Sequence, residues 1–450
     1  MLGANVLGQI LNLVIQVVSV PLFLFFWGTE VYGEWLLISA IPSYIAISGT
    51  GIGFVAGNTM HRHIAAENTD QALVAFQSAW VLTIALSILM IILAIPIIVY
   101  SPIIKMMNVI NIPGFDAKMT LAILVLYIAF SFQSELFSGA FRASGKLARS
   151  TTILTIIRFL EFACAITVVA LGFKVVAAAS TYLLIRVCGV IFMIFDLKRL
   201  NWPKLGTKYA QKSAIRFDLI PTLSFLGFPF GHACVFQGMT TVVGISLGPT
   251  AVVLFSTVRT LTGFIRQFSS TIYYAIWPEF SLALGSGQWK IARNLHRNSF
   301  QLTFVFALIS SISIFFFGDW ILDIWTGGTV KIDNTFLSLM LASTIPNTLW
   351  MMSSYVSISI NRHTKIAIVY SLLALSSMIL AFFLLQIIGI VGVPISVIIA
   401  DIVLLSFVLK TSMKILGDTF KDFFTYVLLN IPLKRFYKIN TKLLRKHHIP

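Results

Sequence analysis

The segment Val81–Tyr100 reads VLTIALSILMIILAIPIIVY, twenty residues without one charged side chain. An α-helix rises ~1.5 Å per residue, so a helix of this length crosses the ~30 Å hydrocarbon core of a bilayer. Similar runs recur along nearly the whole chain of 450 residues, of which 58% are hydrophobic and 11% charged. A soluble domain carries about 25% charged residues. The sequence therefore predicts an all-α, polytopic integral membrane protein.

Short polar connections separate twelve apolar runs, each long enough for a transmembrane helix. The predicted helices cover 2–27, 33–59, 72–100, 118–141, 151–172, 174–195, 219–247, 250–278, 299–324, 332–360, 365–387 and 390–413. The longest internal polar loop, 196–218, divides them six and six. We therefore predict an N-terminal six-helix lobe at 1–200, a basic cytoplasmic linker at 201–217, a C-terminal six-helix lobe at 218–413 and a basic amphipathic cytoplasmic tail at 414–450.

The net charge of +16 is distributed unevenly between the two sides of the membrane. With the N-terminus inside, 24 of the 32 lysines and arginines fall in cytoplasmic segments and only 4 on the opposite side. Excess basic residues in short loops mark the cytoplasmic face. We therefore expect both termini in the cytoplasm, and we attribute the positive charge to orientation rather than to nucleic acid binding.

The tail at 414–450 differs from the rest of the chain. An apolar stripe at helical spacing, formed by Phe420, Phe423, Phe424, Val427 and Leu428, precedes a segment rich in lysine and arginine. This pattern predicts an interfacial helix, followed by a basic end held near anionic lipid headgroups. Membrane lipids are thus one expected partner.

Several kinds of chemistry have no support in the sequence. Cys164, Cys188 and Cys234 all lie within apolar runs and lack metal-ligand spacing, so we expect neither a metal nor a disulfide. No GxxxxGK[ST] motif for nucleotide binding is present. The longest outer loop, 101–117, holds only the acid Asp116. A membrane glycosyltransferase or polymerase is therefore disfavoured, and we expect neither enzymatic activity nor a cofactor.

Ionisable side chains within membrane helices cost roughly 2.5–3.5 kcal/mol each on insertion scales and are functional candidates by default. They are Glu135, Arg158, Glu161, Arg186, Arg259, Arg266 and Asp401. From distances along the helices, Glu135 matches Arg158 in depth and Glu161 matches Arg186. These four residues either form ion pairs that hold the N-terminal half together or take part in transport directly.

Arg259 and Arg266 are seven residues apart and therefore share one face of their helix. The neighbouring predicted helices supply no carboxylate at similar depth, so the two arginines are expected to face water or an anion. One interpretation is a cationic cavity, with Arg186 and Arg158, that binds phosphate or an acidic sugar. In the other interpretation, Arg266 pairs with Asp401, and the side chain of Arg259 extends outward so that its charge reaches water. Pro21, Pro221 and Pro229 are candidate hinge or gate positions because proline kinks helices.

Short motifs in a characteristic order complete the pattern. They are Val20-Pro21-Leu22 through Tyr32-Gly33-Glu34-Trp35, Gly57-Asn58, Phe141-Arg142-Ala143-Ser144-Gly145-Lys146, Ala275-Ile276-Trp277-Pro278-Glu279 and Gly389-Ile390-Val391-Gly392-Val393-Pro394. Through them the chain resembles, over nearly its whole length, the O-antigen type polysaccharide flippases of the multidrug/oligosaccharidyl-lipid/polysaccharide (MOP) exporter superfamily.

The resemblance implies two six-helix lobes around a central cavity in the bacterial cytoplasmic (inner) membrane. It implies an alternating-access flippase for undecaprenyl-pyrophosphate-linked oligosaccharide, working beside a polysaccharide polymerase or other assembly enzymes. An ion gradient would supply the energy, with Asp401, Glu135 and Glu161 as candidate coupling residues. A drug or cation antiporter of the same superfamily and a lipid II-type flippase remain as alternatives.

Overall fold

Helices account for nearly all of the chain in the computed structural model, which describes residues 2–199, 202–214, 227–360 and 362–429. Among these residues no strand occurs. The helices are α1 Leu2–Ala65, α2 Thr69–Tyr100, α3 Ile103–Met106, α4 Gly114–Ala143, α5 Leu147–Ala170, α6 Val175–Arg199, α7 Gly227–Leu247, α8 Pro249–Gly285, α9 Trp289–Thr326, α10 Asn334–Ser359, α11 Thr364–Ile388, α12 Gly392–Leu416 and α13 Phe420–Leu429.

Helix α1 contains the first two predicted transmembrane segments. Its helical course is interrupted at Gly28, whose backbone angles are φ 71° and ψ 175°. A side chain would strain this conformation, which glycine adopts freely. Phe23 before the break stacks on Tyr32 after it, with ring centroids 5.6 Å apart. The break therefore separates two helices that turn back onto each other at an aromatic core.

All twelve predicted segments fall on long helices of the described residues, the first two on α1. Several of these helices extend beyond the predicted segment. Helix α9 begins at Trp289, ten residues before the predicted start. Helix α8 continues to Gly285, past the predicted end at 278. The prediction followed the apolar runs, whereas these helices continue into polar segments at their ends. The predicted helix start at 219 and the basic tail beyond 429 lie outside the described residues.

Eight helical segments of the described residues are long and apolar enough to cross a membrane. They are Gly8–Tyr44, Thr69–Tyr100, Gly114–Ala143, Leu147–Ala170, Val175–Arg199, Gly227–Leu247, Trp289–Thr326 and Thr364–Leu416. The chain is thus an all-α, multi-pass membrane protein. Helices α8 and α10 are also long but lie outside these segments.

The chain divides into two units. Unit 1 comprises Met1–Thr257, Leu322–Lys331 and Ala381–Ile390. Unit 2 comprises Val258–Ile321, Ile332–Leu380 and Val391–Pro450. The core of unit 1 includes Phe23, Tyr32 and Trp35, and that of unit 2 includes Tyr273 and Phe280. The division into six and six helices at the basic linker stays a prediction.

Candidate functional site

A buried ion pair connects α5 and α6 within unit 1. Nε of Arg186 on α6 lies 2.7 Å from Oε1 of Glu161 on α5, and Nη2 donates to Oε2 at 2.9 Å. Tyr127 on α4 completes the group, accepting from Arg186 at 2.8 Å and donating to Glu161 at 3.2 Å. The predicted pairing of Glu161 with Arg186 is confirmed. We call Tyr127, Glu161 and Arg186 the buried triad.

Aromatic rings surround the buried triad. Tyr182 meets the edge of the Tyr127 ring at 6.1 Å, and Trp35 lies 6.2 Å from Tyr182. The guanidinium carbon of Arg186 lies 5.0 Å from the centre of the Tyr127 ring. A low-dielectric environment of this kind strengthens the attraction between the two charges and raises the free-energy cost of separating them. Arg186 is therefore committed to Glu161 in this structure.

The predicted ion pair between Glu135 and Arg158 is wrong. Arg158 lies on an exposed face of α5, and this pair is not among the ion pairs of the described residues. The cation that acts electrostatically on Glu135 is Arg142, two turns further along α4. Distance from a turn carries no information about which way each side chain points around its helix.

Glycines allow α1 and α4 to approach each other closely. A Cβ on Gly53 would lie 2.6 Å from the carbonyl oxygen of Glu135, and one on Gly57 would lie 3.0 Å from Cα of Gly139. Arg142 donates to the carbonyl oxygens of Gly53 and Phe54 at 3.2 and 3.3 Å. This part of the glycine-rich segment of α1 thus serves packing between the two helices.

A second buried carboxylate lies in unit 2. Asp401 on α12 accepts hydrogen bonds from Trp350 Nε1 at 2.8 Å and from Asn347 Nδ2 at 3.1 Å, both on α10. Arg266 on α8 interacts with Asp401 electrostatically. Arg266 and Asp401 therefore lie within electrostatic range of each other. The ion pair of the second interpretation stays a prediction. We call Arg266, Asn347, Trp350 and Asp401 the Asp401 cluster.

The four arginines of the predicted cationic cavity divide between the two units. Arg158 and Arg186 belong to unit 1, whereas Arg259 and Arg266 belong to unit 2. Arg259 and Arg266 are both half-buried on α8. Substrate binding by the four arginines stays a prediction, as does ion coupling by Asp401, Glu135 and Glu161.

Helix α7 is distorted in its middle. The segment Cys234–Gly238 is π-helical, and the ring of His232 stacks on Phe236 at 4.1 Å. Such one-turn widenings occur frequently at functional sites. Pro229 lies just before this distortion, whereas Pro221 lies outside the described residues. Pro21 lies inside α1, seven residues before the break at Gly28. The hinge roles of all three prolines stay predictions.

Another group of contacts joins α1 to the ends of α7 and α8 within unit 1. The fully buried carboxylate of Glu34 accepts from the backbone N–H groups of Ile110, Asn111 and Ile112 at 2.7–2.8 Å. Asn108 in the same loop donates to the carbonyl oxygens of Gly244 and Ile245 at 3.2 and 3.0 Å. Glu34 therefore holds the loop against α1, and Asn108 ties the loop to α7.

Close backbone packing reinforces these contacts. A Cβ on Gly33 would lie 2.2 Å from the carbonyl oxygen of Pro249, and one on Gly244 would lie 2.0 Å from Cδ2 of Leu37. We call Gly33–Leu37, the loop Asn108–Ile112 and Gly244–Pro249 the outer junction. The name follows the predicted orientation, which places this loop opposite the cytoplasm.

Sequence reasoning missed Tyr127, Asn347, Trp350, Asn108 and the role of Glu34. Glu34 stands in the Tyr32-Gly33-Glu34-Trp35 motif, but its partners are backbone N–H groups, which leave no signal in the sequence. Among the described residues, no group of three His, Cys, Asp or Glu side chains is placed to hold a metal ion.

Solved structures match the chain along most of its length. The inward-facing conformation of a multidrug resistance MATE family transporter of the MOP superfamily matches with a TM-score of 0.74 and 17% identity, covering 91% of this chain and 94% of that one. The chain has the MATE transporter fold. The outward-facing conformation of such a transporter gives a TM-score of 0.57 at 17% identity, covering 91% and 95% of the two chains.

A third structure with the MATE fold is that of the multidrug transporter DinF-BH, solved as a complex. Its TM-score is 0.65 at 15% identity, covering 92% of this chain and 95% of that one. Neither a protein-family model nor a curated protein sequence matches the chain. At 15–17% identity the relation to the MATE transporters is one of fold.

Proposed function

We propose that this protein is an ion-coupled transporter that moves an undecaprenyl-pyrophosphate-linked oligosaccharide across the bacterial cytoplasmic membrane by alternating access, with both termini inside. The observation that carries the transport function is the MATE fold over 91% of the chain. The substrate class rests on the charges of the buried residues and on the motifs shared with polysaccharide flippases.

The state of three buried carboxylates argues against a cationic substrate, and half-buried Glu135 lies beside the positive charge of Arg142. A site for cations needs a carboxylate that faces the substrate. Glu161 is engaged by Arg186 and Tyr127, Asp401 by Trp350 and Asn347, and Glu34 by backbone N–H groups. An anionic headgroup would instead be attracted by Arg259 and Arg266, because a guanidinium donates to phosphate through two parallel hydrogen bonds.

The buried triad and the Asp401 cluster are the proposed ion-coupling groups. Each places a carboxylate away from water beside an arginine, so adding a proton or cation changes the local charge balance sharply. A coupling site must bind its ion in one conformation better than in the other. The triad meets this condition if the packing of α4, α5 and α6 around it changes during transport.

The outer junction is the proposed outer gate. Alternating access requires the outer end to open at one stage, so the bonds from Asn108 to α7 and the contact of Gly33 with Pro249 have to separate. Both are intact here, and the higher TM-score with the inward-facing transporter supports a closed outer gate. Glu34 keeps the loop on α1 when the gate opens.

A drug or cation antiporter is the second candidate, favoured by the multidrug transporters that share the fold. Deletion of the gene in its host separates the two functions. Loss of surface polysaccharide together with accumulation of inward-facing lipid-linked intermediates, reversed by the wild-type gene, is the expected result. Unchanged polysaccharide with new sensitivity to cationic drugs would instead establish the antiporter.

The same host provides a test of the arginines. Arg259→Ala and Arg266→Ala are each expected to restore surface polysaccharide poorly while reaching the membrane in normal amounts. Arg199→Ala is the matched control, because this exposed arginine lies at the end of α6 and is not one of the four cavity arginines. Full restoration by the Arg259→Ala/Arg266→Ala double variant would exclude substrate binding by these two residues.

A further inference from the structure

The circumference of α8 divides into three faces of different character. One face is buried and includes Ile276 and Phe280. A second face is exposed and apolar, and its residues Phe268, Ala275 and Leu282 follow one another at intervals of seven, so they line up along the helix. An exposed apolar line on a membrane helix is expected to meet the acyl chains of the bilayer. We call these three residues the lipid-facing line.

The third face of α8 is accessible but polar, and it carries both arginines. Arg259 and Arg266 are half-buried along it. Trp277 comes eleven residues after Arg266, which is three turns of an α-helix, so both residues lie on this arginine face. Tyr274 lies about 80° round the helix from Arg266 and about 120° from Phe268. Both aromatic residues therefore belong with the arginines rather than with the lipid-facing line.

A buried pair of tyrosines supports these two aromatic rings. Tyr273 donates from its hydroxyl to the carbonyl oxygen of Thr348 at 2.9 Å, and its ring lies 5.6 Å from that of Tyr355 on α10. The rings of Tyr274 and Trp277 meet Tyr355 edge-on, at 6.3 and 6.0 Å. Tyr274 is nevertheless 54% exposed and Trp277 41%. The two rings are therefore held in place from one side while much of their surface stays open to a ligand.

Accessible aromatic rings beside arginines are suited to a sugar that carries phosphate. A pyranose ring has a face of C–H groups that packs on an aromatic ring, while its hydroxyl groups stay in water. The arginines on the same face of α8 favour an anionic ligand over a cationic one. At ~1.5 Å per residue, Trp277 lies about 16 Å from Arg266 along the helix axis. A diphosphate at Arg266 would therefore place the attached sugars, and not the phosphates, near the aromatic rings.

We propose that Tyr274 and Trp277 form a sugar-binding subsite, which stacks on the oligosaccharide while Arg266 binds the diphosphate. This subsite rests on the proposed function and deepens it. The arginines recognise the diphosphate that every lipid carrier of this kind has, whereas the aromatic rings recognise only a carrier that has been glycosylated. The subsite thus gives the transporter a preference for the loaded carrier over the empty one.

Binding of two lipids to the purified full-length protein in nanodiscs tests this subsite. One is the lipid-linked oligosaccharide extracted from the host, and the other is undecaprenyl pyrophosphate without sugar. We expect Trp277→Leu to bind the glycosylated lipid about tenfold more weakly than the wild type does. The same variant is expected to bind undecaprenyl pyrophosphate as well as the wild type, whereas Arg266→Ala weakens the binding of both lipids.

Phe268→Leu is the matched control, because this ring is 52% exposed on the lipid-facing line, and it is expected to keep the wild-type affinity for both lipids. Melting temperatures establish that each variant is folded. Tyr274→Leu, at the more exposed of the two rings, is a second variant and is expected to lose the same preference.

The outcomes separate the subsite from the transport function. If both leucine variants of the subsite bind the glycosylated lipid as tightly as the wild type does, the subsite is overturned and the proposed function is not. A wild-type protein that binds neither lipid would overturn the proposed function and the subsite together.

Discussion

At the scale of single residues, the buried triad determines how unit 1 tolerates substitution. Loss of one partner from a buried ion pair leaves an uncompensated charge and costs about 3–5 kcal/mol, whereas replacing both partners by apolar residues can be nearly neutral. We expect Glu161→Leu and Arg186→Met each to lower the melting temperature of the detergent-solubilised protein substantially. The Glu161→Leu/Arg186→Met double variant is expected to recover most of that loss.

The same variants distinguish a structural role from a coupling role. If the triad couples transport to an ion, the double variant folds but does not transport against a gradient. Arg199→Met is the control, because this exposed arginine at the end of α6 is expected to change the melting temperature little. Strictly additive losses from Glu161 and Arg186 would contradict the pairing.

Asp401 permits a narrower test in unit 2. Asp401→Asn keeps an acceptor for the indole N–H of Trp350 but removes the charge beside Arg266. We therefore expect a folded protein whose transport rate no longer depends on the ion gradient, measured in proteoliposomes with and without an imposed gradient. A gradient dependence equal to that of the wild type would exclude Asp401 as a coupling group.

These residues also show which side-chain contacts could be predicted from the sequence and which could not. The depth of Glu161 and Arg186 along two neighbouring helices was enough to predict their contact, because the helices form an antiparallel pair. The same reasoning failed for Glu135 and Arg158. Helix α5 is apolar around most of its circumference, so its sequence contains no pattern that separates the buried face from the exposed one.

At the scale of helices and loops, the contact between α1 and α4 depends on the absence of side chains. A Cβ on Gly53 would meet the backbone of Glu135 at 2.6 Å, and a backbone cannot move aside as a flexible side chain can. We expect Gly53→Ala to destabilise the protein by about 1–3 kcal/mol. Gly114→Ala, where nothing lies within 4 Å of the added carbon, is the matched control.

Thermal unfolding of the two alanine variants is the measurement. Equal melting temperatures for Gly53→Ala and Gly114→Ala would show that α1 and α4 are not packed as closely as described. The glycine spacing in the sequence predicted a close approach of this helix to another one. It could not identify α4 as the partner, since that depends on how the helices are arranged in three dimensions.

The outer junction was beyond sequence analysis for a similar reason. Asn108 adopts a left-handed backbone conformation, with φ 54°, in the short loop before α4, and its partners are carbonyl groups more than 130 positions away. Backbone acceptors carry no sequence signal. Glu34 likewise binds backbone N–H groups, so no complementary charge in the sequence pointed to it.

At the scale of the whole molecule, the recurrence of apolar runs was sufficient to predict an all-α, multi-pass membrane protein, whereas the orientation inferred from the basic residues stays a prediction. Fold comparison adds the MATE architecture over nearly the full chain. The fold alone does not identify the substrate, because one fold can serve many functions through different sites. In the proposed function, the arginines of α8 select the substrate.

Reversible locking of the outer junction tests transport by alternating access most directly. A protein without its three native cysteines, carrying Leu37→Cys and Gly244→Cys, is reconstituted in proteoliposomes with a pyrophosphate-linked oligosaccharide substrate. A Cβ on Gly244 would lie 2.9 Å from Cγ of Leu37, so the two thiols are expected to come close enough for a disulfide. We predict that oxidation stops transport, that reduction restores it, and that either single variant is insensitive to both; a cross-linked protein that transports at the full rate would contradict the account.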